Sequence, residues 1–446
     1  MPALPAGEMT VLGLPAMWVA AALLLLTYAA VVSEKINRAV VAMLGATLTI
    51  VLGILSQEQA VEGVDFNTIG LLTGMMIIVA VSRRSGMFEY LAIRSAKLVK
   101  ANPAAIMAML QIVTAVMSAF LDNVTAVLLV VPVTLLICER LAVKPYPMLV
   151  ALVFAANIGG TATLVGDPPN ILIGSRVGIS FSEFIINLGP VVVVIQLVAC
   201  LLFHLLWGRR LSTTMRARAQ VMAFRERSAI VDPGLLIQSL AVLALVVAGF
   251  VLAPELDLEP ATVALFGAAL LLLMSCLRRT ADAQTRSVSQ SLEAVEWITI
   301  FFFIGLFIIV AGVESTGLLD LLAEELLAFT EGDLRITALA ILWASAILSM
   351  LVDNIPFVAT MIPIIEEMAP TFGGEDRLMP LWWALSLGAC LGGNGTIIGA
   401  SANLAVAGLA ERAGIRFLFL QYAKVAVPMM LLTVAIAMAY VELRFL

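Results

Sequence analysis

The chain has 446 residues, of which 62% are hydrophobic and only 13% are charged, and its formal net charge at pH 7 is −6. This composition excludes a soluble globular domain and indicates a polytopic membrane protein, for which no nucleic acid partner is expected. The single histidine excludes a zinc protease of the HExxH type, and the sequence holds no GxxxxGK[ST] motif, so we expect neither a P-loop ATPase site nor a cofactor in this chain.

Apolar segments predict the membrane spans. A stretch of roughly 20 apolar residues crosses a hydrocarbon core of about 30 Å. Two stretches, 147–166 and 379–399, are interrupted by glycines. No Lys or Arg precedes the first apolar stretch, so a cleaved secretory signal is not expected. The uninterrupted stretches lie near 14–32, 39–55, 66–82, 186–207, 234–253, 261–277, 296–313 and 423–441.

One pattern with an acid inside an apolar segment occurs twice. Residues 118–133 read SAFLDNVTAVLLVVPV and residues 349–364 read SMLVDNIPFVATMIPI. Asp122 of the first copy therefore recurs as Asp353 of the second, each followed by asparagine. The repetition predicts two structurally equivalent halves.

The duplication extends on both sides of this pattern. At the same offset, the segment that begins at Asp65 matches the segment that begins at Glu296. Further along, NIGGTATLVGDPPN at 157–170 corresponds to LGGNGTIIGASAN at 391–403. A duplicated, glycine-broken and acid-bearing pattern in an apolar chain is typical of secondary transporters.

The distribution of Lys and Arg indicates that the two copies are inverted. Short cytoplasmic loops are enriched in these residues, and the basic loops are 33–38, 83–100 and 208–227. The loop after the first copy's helix is basic, whereas the corresponding stretch of the second copy, 314–333, is acidic. The two copies therefore cross in opposite directions. We expect both termini outside the cytoplasm and the protein in the inner membrane.

Each copy is expected to contain one re-entrant hairpin and one broken helix. Hairpin 104–141 has basic residues on both flanks and hairpin 335–368 has acidic ones, so we expect each to enter and leave on one side. Twelve ordinary spans are the alternative. The predicted fold is all-α with about ten spans. Its parts are a first repeat at 1–208, a cytoplasmic linker at 209–232 and a second repeat at 233–446, with broken helices at 147–175 and 379–411.

Asp122 and Asp353 at the hairpin tips are the leading site candidates. A carboxylate at mid-membrane costs about 2.5–3.5 kcal/mol on insertion scales, and backbone that turns there needs a water-filled cavity or protein partners. The alternative is a brace in which each aspartate caps the following half-helix. The neighbouring polar candidates are Asn123, Thr125, Asn157, Thr161, Thr163, Asn170, Asn354, Asn394, Thr396, Ser401 and Asn403, and the helix-breaking glycines are Gly159, Gly160, Gly392, Gly393 and Gly395.

Asp167 breaks the symmetry of the repeats, because Ala400 stands opposite it in the second copy. A titratable group present on one side only is a candidate for the proton-coupling acid. The alternative is a simple N-cap for the turn at Pro168. No Lys or Arg lies in either tip or break motif, which is consistent with an uncharged or cationic cargo.

An intramembrane aspartyl protease is the competing class. The second acid of those enzymes lies in a GxGD turn, and here the sequence LVGDPP has Leu164 in place of the first glycine. The four cysteines form no CxxC pair, and we expect them to be small buried residues. Cys390 is the exception to watch, because it precedes the Gly392 break, where it is placed to contact a thiophilic ligand.

At DNVTAVLLVVPV and NIGGTATLVGDPPN the chain resembles the ion transporter superfamily, specifically the group of ArsB-type arsenite permeases, melanosomal P proteins and NhaD-type sodium/proton antiporters. The resemblance covers essentially the whole length and both repeats. It implies an elevator-type carrier, in which the hairpins and broken helices form a transport domain that moves against a scaffold of the other helices.

The two tips also bear on the cargo. The dicarboxylate branch of the superfamily carries Ser-Asn-Thr at both tips, whereas this chain has DNVT from Asp122 and DNIP from Asp353. Carboxylates at both tips repel a dianion and suit a proton, a cation or a neutral polyol-like solute. We therefore expect export of arsenite or antimonite in exchange for protons, with sodium/proton exchange at the same tips as the alternative. Any nucleotide-driven mode requires a separate soluble partner, such as an arsenite-stimulated ATPase.

Overall fold

The computed structural model describes residues 10–11, 13–33, 35–277 and 280–446, and this part of the chain is almost entirely α-helical. Its only strands, β1 (Thr10–Val11) and β2 (Leu14–Pro15), pair antiparallel. The helices of the first half are α1 (Ala16–Val32), α2 (Arg38–Val51), α3 (Gln57–Glu62), α4 (Phe66–Arg83), α5 (Met87–Leu98), α6 (Pro103–Phe120), α7 (Asn123–Leu141), α8 (Tyr146–Gly160), α9 (Pro168–Val177) and α10 (Phe181–Leu206).

The second half repeats this order after a short linker helix. The remaining helices are α11 (Met215–Met222), α12 (Pro233–Leu252), α13 (Pro260–Cys276), α14 (Ala281–Glu293), α15 (Trp297–Glu314), α16 (Leu318–Phe329), α17 (Leu334–Leu351), α18 (Asn354–Glu366), α19 (Ala369–Phe372), α20 (Met379–Gly392), α21 (Ser401–Arg412) and α22 (Phe419–Arg444). Single 3₁₀ turns lie at Gly208–Arg210, Glu226–Ala229, Glu375–Leu378 and Gly393–Gly395.

The duplicated all-α membrane fold predicted from the sequence is confirmed. Among the described residues, eight helices are long and apolar enough to cross a membrane: α4, α6, α7, α10, α12, α15, α17 and α22. In chain order, α1, α2 and α4–α10 correspond to α12, α13, α15–α18 and α20–α22. The two broken helices have their gaps at equivalent places, between Gly160 and Pro168 and between Gly392 and Ser401.

A scaffold forms where the two repeats cross each other, and it comprises α1, α2, α4, α12, α13 and α15. Helix α4 packs along α13, and α15 packs along α2. Gly74 and Gly305 allow these close approaches, because a Cβ on Gly74 would lie 2.7 Å from the backbone carbonyl carbon of Ala264 and one on Gly305 would lie 2.6 Å from that of Ala42. These symmetric crossings tie each repeat to the other.

The hairpins and broken helices make a second bundle, the transport domain, which comprises α6–α9, α17, α18, α20 and α21. Hairpin helix α6 packs along α8, and α17 packs along α20. In each repeat a hairpin serine donates to a carbonyl of the broken helix at 2.6 Å: Ser118 to Ala156 and Ser349 to Ala389. Each hairpin is therefore fixed to its own broken helix.

The loops sort by charge to the two ends of the molecule. The basic end holds the α1–α2 and α4–α5 loops and the linker, which docks there through an ion pair between Lys97 and Glu226. That contact holds the pKa of Glu226 below its ordinary value. The acidic end holds the α12–α13 loop and the C-terminal ends of α9, α15 and α18, where Arg176 pairs with Glu366 at 2.9 Å.

The helix crossing at Gly74 yields a stability prediction. Gly74→Ala should destabilise the protein by about 1–3 kcal/mol, because the added methyl group meets backbone that cannot move independently of α13. Thermal unfolding in detergent measures the effect. Gly408→Ala in α21 is the matched control, since a Cβ there meets nothing within 4 Å. Equal melting temperatures for both variants would contradict this packing.

Candidate transport site

The first hairpin tip combines the two roles considered for its aspartate. Asp122 occupies the N-cap of α7, and its carboxylate accepts hydrogen bonds from the Thr125 backbone N–H at 2.7 Å and from the Thr125 hydroxyl at 2.5 Å. Such a cap stabilises the helix start. The aspartate therefore braces the tip, and it also lines the central cavity described below.

The second tip differs, because Asp353 makes no capping bond to α18. Its Oδ2 accepts instead from Nη1 of Arg38 at 3.0 Å and from the Ser401 hydroxyl at 3.0 Å. Its Oδ1 is buried and has no hydrogen-bond partner among the described residues. The equivalent tip aspartates thus sit in different electrostatic surroundings.

Asp167 is fully buried at the N-cap position of α9, and it does not act as an N-cap. The next two residues are Pro168 and Pro169, which have no N–H to donate. Its Oδ1 accepts from the Asn354 amide at 3.4 Å, and its Oδ2 has no partner within the described chain. The capping alternative for this acid therefore lacks its hydrogen bond.

These acids surround a central cavity of about 20 Å³, enough for one water molecule. The first turns of six helices line it: α2, α7, α9, α15, α18 and α21. Each helix start carries a partial positive charge from its unpaired N–H groups. The convergence creates a field that favours negative charge, and Asp122, Asp167 and Glu296 lie within it.

A wider cleft of about 190 Å³ lies beside the α1–α2 loop. Arg38 and Asp353 both line this cleft, together with the start of α2 and residues near the second break. Arg38 also lines the central cavity. Arg38 is thus shared by the cleft and the central cavity.

Two asparagines satisfy the backbone exposed by the helix breaks. The Asn170 amide donates to the carbonyl oxygens of Thr161 at 3.1 Å and Thr163 at 2.9 Å. In the second repeat, the Asn403 amide donates to the carbonyls of Gly393 and Thr396, both at 2.8 Å. Without such donors these carbonyls would be buried and unpaired.

A second set of amides joins the repeats at the centre. The Asn157 amide donates to the side-chain oxygens of Asn394 at 3.1 Å and Asn403 at 2.9 Å. Asn123 at the first tip donates to the Asn157 side-chain oxygen at 3.2 Å. This fully buried chain links the first hairpin tip to both broken helices.

The candidate hydroxyls mostly bind backbone. Thr161 donates to the carbonyl of Asn157 at 2.8 Å, Thr163 donates to Ala119, and Thr396 donates to Met350 at 2.6 Å. The last two brace the hairpins against the breaks. Cys390 is buried with its thiol 3.6 Å from the Asn170 side-chain oxygen. Of the predicted site residues, those that line the central cavity are Asp122, Asn123, Asp167, Asn354 and Ser401.

Three residues of the site were missed in the sequence. Arg38 was assigned to a basic loop, yet it begins α2, and its guanidinium reaches a hairpin tip from outside the tip and break motifs. Thr299 accepts from Arg38 at 2.9 Å and donates to Glu296 at 3.1 Å. The sequence held one signal for Glu296, namely that an acid, Asp65, occupies the equivalent position of the first repeat.

Comparison with known proteins identifies the family. The sequence profile of the citrate transporter family matches residues 28–388. The chain belongs to this family. This match, together with the similarity to P proteins given below, confirms the resemblance to the ion transporter superfamily stated from the motifs.

Curated relatives extend over the whole chain. An uncharacterized transporter of Mycobacterium bovis is 43% identical over 96% of this chain and 98% of its own length. The P protein of Mus musculus is 33% identical over 94% of this chain, which spans 59% of that protein. These matches identify the protein as a membrane transporter and not as an intramembrane protease.

Two solved structures share the fold. The YdaH transporter of Alcanivorax borkumensis superposes with a TM-score of 0.57 at 14% identity, over 96% of this chain and 97% of that one. MtrF of Neisseria gonorrhoeae, described as illuminating a class of antimetabolite efflux pumps, gives 0.57 at 9% identity over 98% and 96%. At these identities the similarity concerns the fold alone.

The first tip gives a prediction that separates cap from charge. Asp122→Ala should lower stability by about 0.5–2 kcal/mol, because the Thr125 N–H loses its acceptor. Asp122→Asn keeps an oxygen at that position and should retain most of the stability while removing the charge. Thermal unfolding of the two variants in one detergent provides the comparison. Equal losses in both would show that the charge, and not the cap, stabilises the tip.

Proposed function

We propose that this protein is a proton-coupled elevator transporter that exports arsenite or antimonite in exchange for protons. The observation that carries the proposal is Asp167: a fully buried carboxyl group with one unpartnered oxygen, at the edge of a cavity large enough for one water. Burying such an acid is costly, and acids buried in this way mark sites that bind protons or cargo.

Asp167 meets the requirements of a proton carrier better than either tip aspartate. Asp122 is committed to the cap of α7, and Asp353 is paired with Arg38. Asp167 has one long hydrogen bond, from the Asn354 amide, and the Cys390 thiol lies beside it. Ala400 at the equivalent place restricts the role to one repeat.

An uncharged cargo fits the charges of the site. Arg38 offsets the charge of Asp353, and the helix starts offset part of the charge on the remaining acids. Arsenite is expected as As(OH)₃ near neutral pH, whose hydroxyls suit carboxylate, amide and hydroxyl groups of the kind that Asp122, Asn354 and Ser401 provide. Citrate, which the family description names, would bring a multiple negative charge to Asp122, Asp167 and Glu296.

Sodium/proton exchange is the second candidate, because carboxylate and amide oxygens also form sodium sites. The crowding of Asp122, Asp167 and Glu296 around one cavity favours it. The ion pair of Arg38 with Asp353 opposes it, because the guanidinium would repel a sodium ion bound beside Asp353.

The orientation in the membrane is part of the proposal. The basic end, with Arg209, Arg210 and the docked linker, should face the cytoplasm of the inner membrane. Both termini then lie on the other side. The cleft at Arg38 and Asp353 opens toward the cytoplasm in this orientation, where an exporter collects its cargo.

Arsenite uptake into proteoliposomes tests this function. With an acid interior and no sodium, the wild type should take up arsenite, because protons leaving through the exchanger drive the cargo inward. A protonophore should abolish this uptake. Asp167→Asn should reduce it to the background of empty liposomes, since the amide cannot release a proton.

The controls define what would contradict the proposal. Glu442→Gln, at an exposed ion pair distant from the cavity, should transport normally. Sodium that discharges the same pH gradient without arsenite movement would replace the proposed cargo with sodium. Uptake of citrate in place of arsenite would reject the argument from site charge. Arsenite uptake that survives in Asp167→Asn would reject this acid as the proton carrier.

A further inference from the structure

The ion pair between Arg38 and Asp353 crosses from the scaffold to the transport domain. Arg38 lies in the first turn of scaffold helix α2, whereas Asp353 lies at the tip of the second hairpin. Their closest atoms are 3.0 Å apart, and the two side chains are 24% and 14% exposed. A pair this well shielded is screened much less by solvent and salt than a surface pair.

The guanidinium is anchored on the scaffold side. Its Nη2 donates to the Thr299 hydroxyl on α15 at 2.9 Å, and its carbon lies 5.3 Å from the centre of the Phe302 ring. These contacts are independent of the hairpin. Arg38 therefore presents a charge that is fixed to the scaffold.

The other nitrogen, Nη1, holds two groups of the transport domain. It donates to Asp353 at 3.0 Å and to the Ser401 hydroxyl at 2.7 Å, and Ser401 itself donates to Asp353 at 3.0 Å. The hairpin tip and the start of α21 are thus held at one point. Movement of the transport domain along the scaffold must break all contacts to Nη1 together.

The second repeat has no cation at the position equivalent to Arg38. The α2 sequence from Ala39 to Gly45, AVVAMLG, corresponds to ATVALFG from Ala261 to Gly267 in α13, which places Pro260 opposite Arg38. The symmetric movement would therefore bring the first tip toward a proline. The attraction operates at one end only.

A second pair crosses the same boundary at the acidic end and is weaker. Arg176 of α9 lies 3.5 Å from Glu314 of α15, with exposed fractions of 50% and 42%. Exposed pairs contribute about 0–1 kcal/mol. The shielded pair at Arg38 therefore dominates the electrostatic attachment of the transport domain in this conformation.

We propose that Arg38 is a positioning residue that couples the charge of Asp353 to the position of the transport domain. While the pair is intact, it holds the domain at the basic end. Loss of either charge removes the attraction and releases the domain. The other ionisable groups that face this region are Asp122 on α7, Asp167 at α9 and Glu296 at α15. The inference rests on the elevator movement of the proposed function and does not depend on the cargo.

The test measures the distance between the two domains without any cargo. Spin labels at Leu256 in the α12–α13 loop and at Glu375 after α18, both exposed, report their separation in liposomes. In the wild type we expect one dominant distance. Arg38→Gln should shift most of the population to a second distance, because the pair is lost. Arg38→Lys should retain much of the wild-type behaviour.

Two further variants make the result decisive. Arg335→Gln, which removes an arginine from the exposed pair with Glu442, should behave as the wild type. Asp353→Asn should match Arg38→Gln and covers the case in which the arginine variant does not fold. A folded Arg38→Gln or Asp353→Asn protein with the wild-type distance distribution would overturn the proposal. Loss of arsenite uptake with this distance response intact would overturn only the proposed cargo.

Discussion

The requirement that buried backbone groups find hydrogen bonds governs the centre of this protein. Two helices stop and restart inside an apolar body, which leaves carbonyls and amides that neither lipid nor water can satisfy. Asn170 and Asn403 donate to those carbonyls from within the restarted helices. Each hairpin then packs on the stabilised break through Ser118 or Ser349. The position of the hairpin tips, and hence of their acids, follows from these bonds.

The same geometry determines the electrostatics of the site. Because breaks and tips meet, six helix starts point at one small cavity and favour the acids placed there. The repeats contribute unequally, because the positions equivalent to Asp167 and Arg38 in the second repeat hold Ala400 and Pro260, which carry no charge. The two ends of this transporter therefore differ in charge, although its fold is repeated. The proposed proton site and the proposed positioning residue are therefore both products of broken symmetry.

Much of this arrangement was predictable because apolar length, repeat offset and loop charge are local properties of the sequence. The helix breaks at Gly160 and Gly392, and the hairpin tips at Asp122 and Asp353, were read directly from repeated motifs. The role of Arg38 was not, since its partner lies 315 positions away and depends on how the hairpin packs on the scaffold. Side-chain direction was equally inaccessible: Thr163 and Thr396 carry hydroxyls suited to a cargo, yet both bind hairpin carbonyls.

The exchange of arsenite for protons at Asp167 is the central claim, and the pH inside proteoliposomes tests it most directly. An inward arsenite gradient is applied at equal pH without sodium, and a trapped dye reports the internal pH. The account predicts that the interior becomes alkaline as protons leave in exchange for arsenite, and that Asp167→Asn shows no change. Arsenite entry at constant internal pH, or alkalinisation that persists in Asp167→Asn, would contradict it.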